Sequence, residues 1–130
     1  MNSTLILKGN ILYTPDPSTF VSIQQGYIIA VDGLVVHCGE SIPTVYTEYD
    51  VVDYGDNLII PGFVDTHAHA PQYCNRGLGM DKELLPWLET YTFPEEAKFS
   101  DLDYARLVYG AFVHDLWRNG TTRSILFGTI

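Results

Sequence analysis

The sequence predicts an α/β fold in two parts, a small β unit over residues 1–57 and a strand–helix–strand unit over residues 58–130. Three observations predict it. Short β-rich runs surround an Asp-Gly turn pair in the first part. An apolar run from Leu58 leads to two histidines at alternate positions. A helical pattern then covers Asp101 to Arg118 and precedes a last β-rich run.

The first part consists of five short β-rich runs, at residues 5–13, 20–23, 27–31, 34–38 and 51–54. The first run ends at the turn cluster 15–18, which contains two prolines. Asp32-Gly33 separates the third run from the fourth and predicts a type I′ hairpin, because that turn needs positive φ at both central residues. His37 lies in this hairpin and is interpreted as structural or surface-exposed, so no chemistry is assigned to residues 1–57.

The stretch Leu58–His69 is predicted to be the central strand of the second part. Asp65, His67 and His69 alternate along it, and alternate side chains of a strand point to the same face. Two imidazoles on one face can share a metal ion. On a helix, residues two apart do not face each other, so the spacing favours a strand end that carries a site.

Residues 70–99 are predicted to be irregular, with a short helix at Leu84–Tyr91 and a second helical start at Pro94. A helix follows over Asp101–Arg118, with Ser100 as its N-cap and Asn119-Gly120 as its stop. Its predicted apolar stripe consists of Leu102, Ala105, Tyr109, Phe112 and Leu116. His114 falls on the polar side and is interpreted as solvated.

Thr121–Ile130 reads as a second strand, parallel to the first because a helix connects them. A single strand–helix–strand unit leaves both strands with an unpaired edge. We therefore expect the 130 residues to be the front part of a larger fold, or to need a partner chain that completes it.

Composition excludes several classes of function. Seven basic against 16 acidic residues give a formal charge of −9, which disfavours nucleic acid and anionic membrane as partners. No apolar stretch of the sequence reaches the ~20 residues of a membrane span, and the N-terminal apolar run is too short for a signal peptide. Cys38 and Cys74 form no C-x-x-C pattern and indicate reduced thiols in a cytoplasmic protein.

The chemistry-bearing residues allow more than one interpretation. His67 and His69 supply two ligands for zinc, or they are hydrogen-bonded histidines at the start of a loop. Asp65 either orients an imidazole from outside the ligand set or accepts from backbone amides. Gln72 offers an amide that both donates and accepts, which suits a heterocycle carrying N–H and C=O, or it is structural. The aromatic residues of the loop either form a wall for a flat ring or belong to the core; they are Trp87, Tyr91 and Phe93.

Other zinc sites are excluded. The sequence has no H-E-x-x-H helix and no H-x-E with a later P-C-x-x-C, and it has no dinucleotide-binding or Walker glycine pattern.

The stretch PGFVDTHAHAPQY resembles the first metal motif of the amidohydrolase superfamily, which ends the first strand of a (β/α)8 barrel. The segments LLPWLETYTFPEEAKF and NGTTR, together with Gln72, are similar to the guanine deaminase branch. The β-rich front resembles the small β-sandwich-like domain that precedes the barrel. The resemblance covers nearly the whole chain and implies the N-terminal part of a metal-dependent amidohydrolase, with the first βαβ unit of a TIM barrel.

The resemblance implies hydrolytic deamination of guanine to xanthine and ammonia by a zinc-activated water. His67 and His69 would bind zinc, while His69 and Gln72 would contact guanine and Asp65 would support the ligands. No catalytic acid or base lies within this chain, because the family's glutamate, metal-binding aspartate and later histidines follow on later strands. The complete enzyme is expected to be a homodimer.

The same residues leave two alternatives. The first is another aminohydrolase of the superfamily, acting on an adenine nucleoside-type or triazine substrate. The second is a truncated, non-catalytic module whose exposed strand edges promote association. In either case we expect the 130-residue chain alone to be inactive, since a TIM barrel takes ~250 residues.

Overall fold

The computed structural model describes residues 3–129 and divides the chain into two units, one up to Pro61 and one from Gly62. The first unit contains strands and the second contains both helices and strands, so the predicted α/β class is confirmed. No helix in the described part of the chain is long and apolar enough to cross a membrane. The division into domains at residues 1–57 and 58–130 stays a prediction.

The first unit is a four-stranded sheet in the order β3-β2-β1-β4. Its strands are β1 (Thr4–Asp16), β2 (Thr19–Val31), β3 (Leu34–Gly39) and β4 (Val51–Ile59). β2 is antiparallel to β1 and to β3, whereas β4 runs parallel to β1. The runs predicted separately at 20–23 and 27–31 are one continuous strand in the structure, with Gln25 at positive φ between them.

The Asp32-Gly33 hairpin is confirmed. Both residues have positive φ, 51° and 80°, as a type I′ turn requires. The carboxylate of Asp32 accepts a hydrogen bond from the Ser3 backbone N–H at 2.9 Å, which ties the turn to the start of β1. His37 contacts the Ser41 carbonyl through Nε2 at 2.8 Å, which agrees with a structural role.

The prediction of one strand over Leu58–His69 is wrong. Leu58 pairs with Asn10 of β1 inside the first sheet, while β5 (Phe63–His69) begins a second sheet. Pro61 separates the two strands, because it has no N–H to donate to a ladder. A side chain at position 62 would place its Cβ only 2.8 Å from Cβ of Thr122. Glycine is therefore required where the backbone at this position comes close to Thr122.

The second unit consists of β5, a helical crossover and β6 (Thr121–Phe127), which pairs with β5 in parallel. The crossover ends in the long helix α3 (Leu102–Arg118). Residues 70–99 are mostly helical, so the prediction of an irregular segment is wrong, whereas the predicted short helix at Leu84–Tyr91 and the predicted helical start at Pro94 are confirmed. The segment forms a 3₁₀ turn (Ala70–Asn75), α1 (Leu84–Trp87), a π turn (Leu88–Thr92), α2 (Phe93–Ala97) and a 3₁₀ turn (Lys98–Ser100). Pro71 and Pro94 stand near the starts of two of these segments, where proline costs no helical hydrogen bond.

The helix α3 is capped one residue later than predicted. The side chain of Asp101, not that of Ser100, accepts from the backbone N–H groups of Asp103 and Tyr104. The Ser100 hydroxyl instead donates to the Ala97 carbonyl of the preceding turn. The predicted stop is confirmed, since Asn119 caps the helix and Gly120 follows with φ of 81°.

The buried face of α3 differs in part from the predicted stripe. Val108 and Phe112 are its buried residues, and Val108 was not predicted. Leu102, which was predicted to belong to the stripe, is 66% exposed. Phe99 joins this core through ring contacts with Tyr104 and Tyr109.

The capping assignment predicts unequal costs for two adjacent alanine substitutions. Asp101→Ala removes the acceptor of two helix N–H groups and should lower the free energy of unfolding by about 1 kcal/mol. Ser100→Ala is the matched control and should change it by less than about 0.5 kcal/mol. Urea unfolding followed by circular dichroism measures both. A larger loss in Ser100→Ala than in Asp101→Ala would contradict the assignment.

Candidate functional site

The structure brings together the two histidines that the sequence singles out. His67 and His69 lie at the carboxyl end of β5, and their Nε2 atoms are 3.0 Å apart. Their ring centroids are 5.1 Å apart, and both side chains are exposed. The alternate spacing in a strand thus aims both rings at one point, where they are open to a ligand.

Phe127 lies against both imidazoles. It is the register partner of His69 at the end of β6, and the two rings stack at 4.8 Å with 13° between their planes. The His67 ring lies 4.9 Å away from Phe127. Sequence reasoning missed this contact, although parallel pairing of the two strand ends was the signal that could have found it.

Asp65 bonds to the backbone. Its carboxylate accepts a hydrogen bond from the His67 N–H at 3.0 Å, two residues along the strand. This bond fixes the backbone next to the first histidine. The sequence left open whether Asp65 orients an imidazole, and that role stays a prediction.

Gln72 follows in the 3₁₀ turn after β5 and faces His69. Its amide nitrogen is 3.4 Å from Nδ1 of His69 and 3.3 Å from Oε1 of Glu96 on α2. Sequence reasoning missed Glu96, because the Pro-Glu-Glu segment was interpreted only as a helix start. The structure therefore adds a carboxylate to the surroundings of the predicted substrate contact.

A cavity of about 430 Å³ opens beside this group. His69 and Gln72 line it, and Trp87 contributes its indole, whose Nε1 donates to the Leu78 carbonyl at 2.9 Å. Of the three aromatic residues considered for a ring-binding wall, Trp87 lines the cavity, whereas Phe93 is 55% exposed and is not a core residue. The volume falls in the usual range for small-molecule sites.

Another part of the cavity wall carries a linked set of polar side chains that the sequence did not reveal. The Tyr73 hydroxyl donates to the Asp115 carboxylate, and the Arg76 guanidinium lies 3.7 Å above the Tyr73 ring. Arg76 is also 3.8 Å from Asp115. The Tyr73 hydrogen bond holds the pKa of Asp115 below its usual range, and the same bond raises the pKa of Tyr73. His114, the residue before Asp115 on α3, is exposed as predicted.

The imidazole pair fits two positions of a zinc site. Zinc–nitrogen bonds of about 2.0–2.1 Å at a tetrahedral angle separate two ligand nitrogens by about 3.3 Å. The observed separation of 3.0 Å is close to that value. Within residues 3–129 no group of three or more histidine, cysteine or acidic side chains could hold a metal ion, so this chain offers the pair alone.

The profile of the amidohydrolase family matches residues 58–129. That match takes in more than half of the 130 residues, and the chain belongs to the amidohydrolase family. Guanine deaminases are among the proteins to which it is similar. The chain is 56% identical over 80 residues to the guanine deaminase of Dictyostelium discoideum, a match that covers 62% of this chain and 18% of that protein.

Solved structures agree with this relation. A guanine deaminase from C. acetobutylicum with bound guanine has a TM-score of 0.88 at 48% identity, covering 98% of this chain and 30% of that one. An adenosine deaminase from Xanthomonas campestris with bound zinc has a TM-score of 0.68 at 18% identity, covering 95% of this chain and 28% of that one, and shows the fold alone. The resemblance to the N-terminal portion of guanine deaminase is thus confirmed. The chain spans less than a third of the length of each of these relatives.

The Tyr73–Asp115 bond predicts a pKa change in one variant. Tyr73→Phe removes the donor and should raise the pKa of Asp115 toward its ordinary value, measured by carboxyl ¹³C NMR titration. A lowered pKa stabilises the fold above the pKa of the unfolded chain, and this stabilisation disappears as pH falls through the folded value. The stability difference between wild type and variant should therefore be present at neutral pH and vanish in acid.

Tyr104→Phe is the matched control, because the Tyr104 hydroxyl donates to Glu95 and not to Asp115. An Asp115 pKa that is unchanged in Tyr73→Phe, or equally raised in both variants, would contradict the assignment.

Proposed function

We propose that this chain supplies the first metal ligands and one substrate contact of an enzyme that hydrolyses guanine to xanthine and ammonia. The observation that carries the proposal is the His67–His69 pair, with Nε2 atoms 3.0 Å apart, next to Gln72 at a cavity of about 430 Å³. The similarity to guanine deaminases supports guanine as the substrate, and the cavity is large enough for a purine.

His67 and His69 would hold zinc through Nε2. Zinc, when bound, supplies Lewis-acid activation of water near neutral pH. The chain's own residues would position the reactants. Phe127 packs on both imidazoles, so it limits the rotation of each ring. The hydrogen bond from the His67 N–H to Asp65 fixes the backbone that carries the ligands.

Gln72 would contact the purine directly, and His69 would lie beside the same ligand. Both residues line the cavity, together with the Trp87 indole. A flat heterocycle in this space could lie against Trp87 while its polar edge meets the Gln72 amide. The remaining ligands and the acid/base glutamate would come from residues outside this chain.

We further propose that β5 and β6 are the first two strands of a TIM barrel that follows a small β-sandwich-like domain. The support is their parallel pairing with a helical crossover, and the position of the histidines at a carboxyl strand end. Large apolar residues of both strands are exposed, as Phe63 is 58% and Ile125 is 59% accessible. Apolar exposure of this kind is expected where further elements would pack.

The proposal includes a cytoplasmic location and a homodimeric complete enzyme. Cys38 and Cys74 are both free thiols in the structure, which fits a reducing compartment.

Zinc binding by the pair predicts a clear difference between histidine variants. His67→Ala and His69→Ala should each weaken zinc binding at least tenfold, because each variant keeps only one of the two imidazoles that would bind the ion. His114→Ala is the control, since this exposed histidine lies on α3 away from the pair, and its zinc affinity should equal that of wild type. Isothermal titration calorimetry measures all four proteins. Unchanged affinity in the two pair variants would refute the ligand assignment.

The proposed reaction predicts a difference in activity between this 130-residue chain alone and a protein with the complete barrel. The 130-residue chain alone should form no xanthine from guanine, since it offers two metal ligands and the resemblance implies that the acid/base glutamate lies on a later strand. The complete protein should turn over guanine faster than adenosine or triazine substrates. Ultraviolet absorbance of each reaction measures the rate of substrate conversion and tests both predictions. Xanthine formation by the 130-residue chain would contradict the first, and a preference for adenosine or a triazine would contradict the second.

A further inference from the structure

Glu96 contacts the residue proposed to recognise the purine. Its Oε1 lies 3.3 Å from the amide nitrogen of Gln72, in a partly buried contact between α2 and the 3₁₀ turn after β5. Among the described residues, no lysine, arginine or histidine forms an ion pair with Glu96. The Gln72 amide is therefore its one hydrogen-bond partner among side chains of residues 3–129.

The Gln72 amide nitrogen lies near two groups, Oε1 of Glu96 at 3.3 Å and Nδ1 of His69 at 3.4 Å, and the carboxylate is the stronger acceptor of the two. A glutamine amide has a donating nitrogen and an accepting oxygen that exchange places by a half-turn of the terminal bond. An ionised carboxylate can only accept, and hydrogen bonds to a charged acceptor are stronger than neutral ones. The Gln72 nitrogen therefore stays toward Glu96, and its oxygen is directed elsewhere.

We propose that Glu96 is a positioning residue that sets the amide orientation of Gln72, so that Gln72 offers its oxygen to an N–H of the substrate. This inference rests on the proposed guanine deamination and deepens it. Glu96 does not touch the substrate in this proposal. It acts through Gln72, which lines the cavity while Glu96 does not.

The fixed orientation gives a basis for selectivity. Guanine carries N1–H beside the C6 carbonyl, whereas 2,6-diaminopurine has an unprotonated N1 beside an amino group, and both carry the C2 amine that would leave. A fixed Gln72 oxygen accepts from N1–H of guanine but repels the lone pair of an unprotonated N1. A site that holds a polar partner discriminates strongly against an analogue that leaves this partner unpaired.

Glu95 provides a matched control for Glu96. It is the preceding residue of α2, but its carboxylate is buried and bonds to the Tyr104 hydroxyl and, at 2.6 Å, to the Lys98 ammonium. It makes no hydrogen bond to Gln72 within the described structure. Substitution of Glu95 therefore reports on damage to α2 in general, while substitution of Glu96 reports on the Gln72 contact.

The first experiment observes the amide without substrate. The chain has three glutamines, Gln24, Gln25 and Gln72, so selective ¹⁵N labelling gives few side-chain signals. Glu96→Ala should shift the Gln72 amide signals and speed their exchange with water, whereas Glu96→Gln, whose amide can both accept and donate, should produce a smaller shift. Glu95→Gln should leave them in place. Gln72 signals that do not respond to Glu96→Ala, or that respond equally to Glu95→Gln, would overturn the inference.

The second experiment measures kcat/KM of the complete, zinc-loaded protein for guanine and for 2,6-diaminopurine. Glu96→Ala should reduce the preference for guanine by about tenfold or more, the size expected for one lost charge-assisted hydrogen bond. Glu96→Gln should lie between Glu96→Ala and wild type, because its amide can hold Gln72 in either orientation. Glu95→Gln should stay within about threefold of wild type. An unchanged preference in Glu96→Ala would overturn the selectivity role.

The two experiments separate failure of the inference from failure of the proposed function. Wild-type protein that does not deaminate guanine, while its Gln72 signals still respond to Glu96→Ala, would refute the proposed function and the selectivity role but establish the contact. Guanine turnover combined with unresponsive Gln72 signals would overturn the inference alone.

Discussion

Parallel pairing of β5 with β6 is the constraint on which the candidate site depends. The Phe63 N–H donates to the Gly120 carbonyl at 2.8 Å where the pairing begins, and His69 lies opposite Phe127 where it ends. Because β6 supplies an aromatic ring at that level, the two imidazoles rest on a surface instead of rotating freely in solvent. The geometry of the histidine pair is therefore a property of two strands and the crossover between them.

The polar groups of the site differ in what they can bind. Imidazole nitrogens can bind a metal ion, an amide can read a heterocycle, and carboxylates accept from fixed neighbours. Asp65 accepts from backbone, Glu96 from the Gln72 amide and Asp115 from the Tyr73 hydroxyl. Each of these three acidic side chains thus has a defined donor, which fixes where its carboxylate lies.

Local patterns predicted the parts of the fold that local forces determine. The type I′ turn at Asp32-Gly33 and the helix stop at Asn119-Gly120 follow from backbone geometry alone, and the alternate spacing of His67 and His69 predicted that they meet. The division of Leu58–His69 between two sheets depends on pairing with distant residues, which periodicity does not report. Phe127 reaches the site through strand pairing, and Glu96 and Asp115 reach it through tertiary packing, neither of which follows from residue spacing along the chain.

The helix α2 follows directly from the π turn, and the side chains of its two glutamates make its contacts with neighbouring segments. Its buried Glu95 attaches it to α3 through Tyr104, while the next residue, Glu96, faces Gln72. The two successive glutamates therefore have different roles: Glu95 attaches α2 to α3, and Glu96 orients the Gln72 amide. The backbone position of α2 is in this way inherited from the first turn of the long helix, while the contact to Gln72 belongs to Glu96 alone.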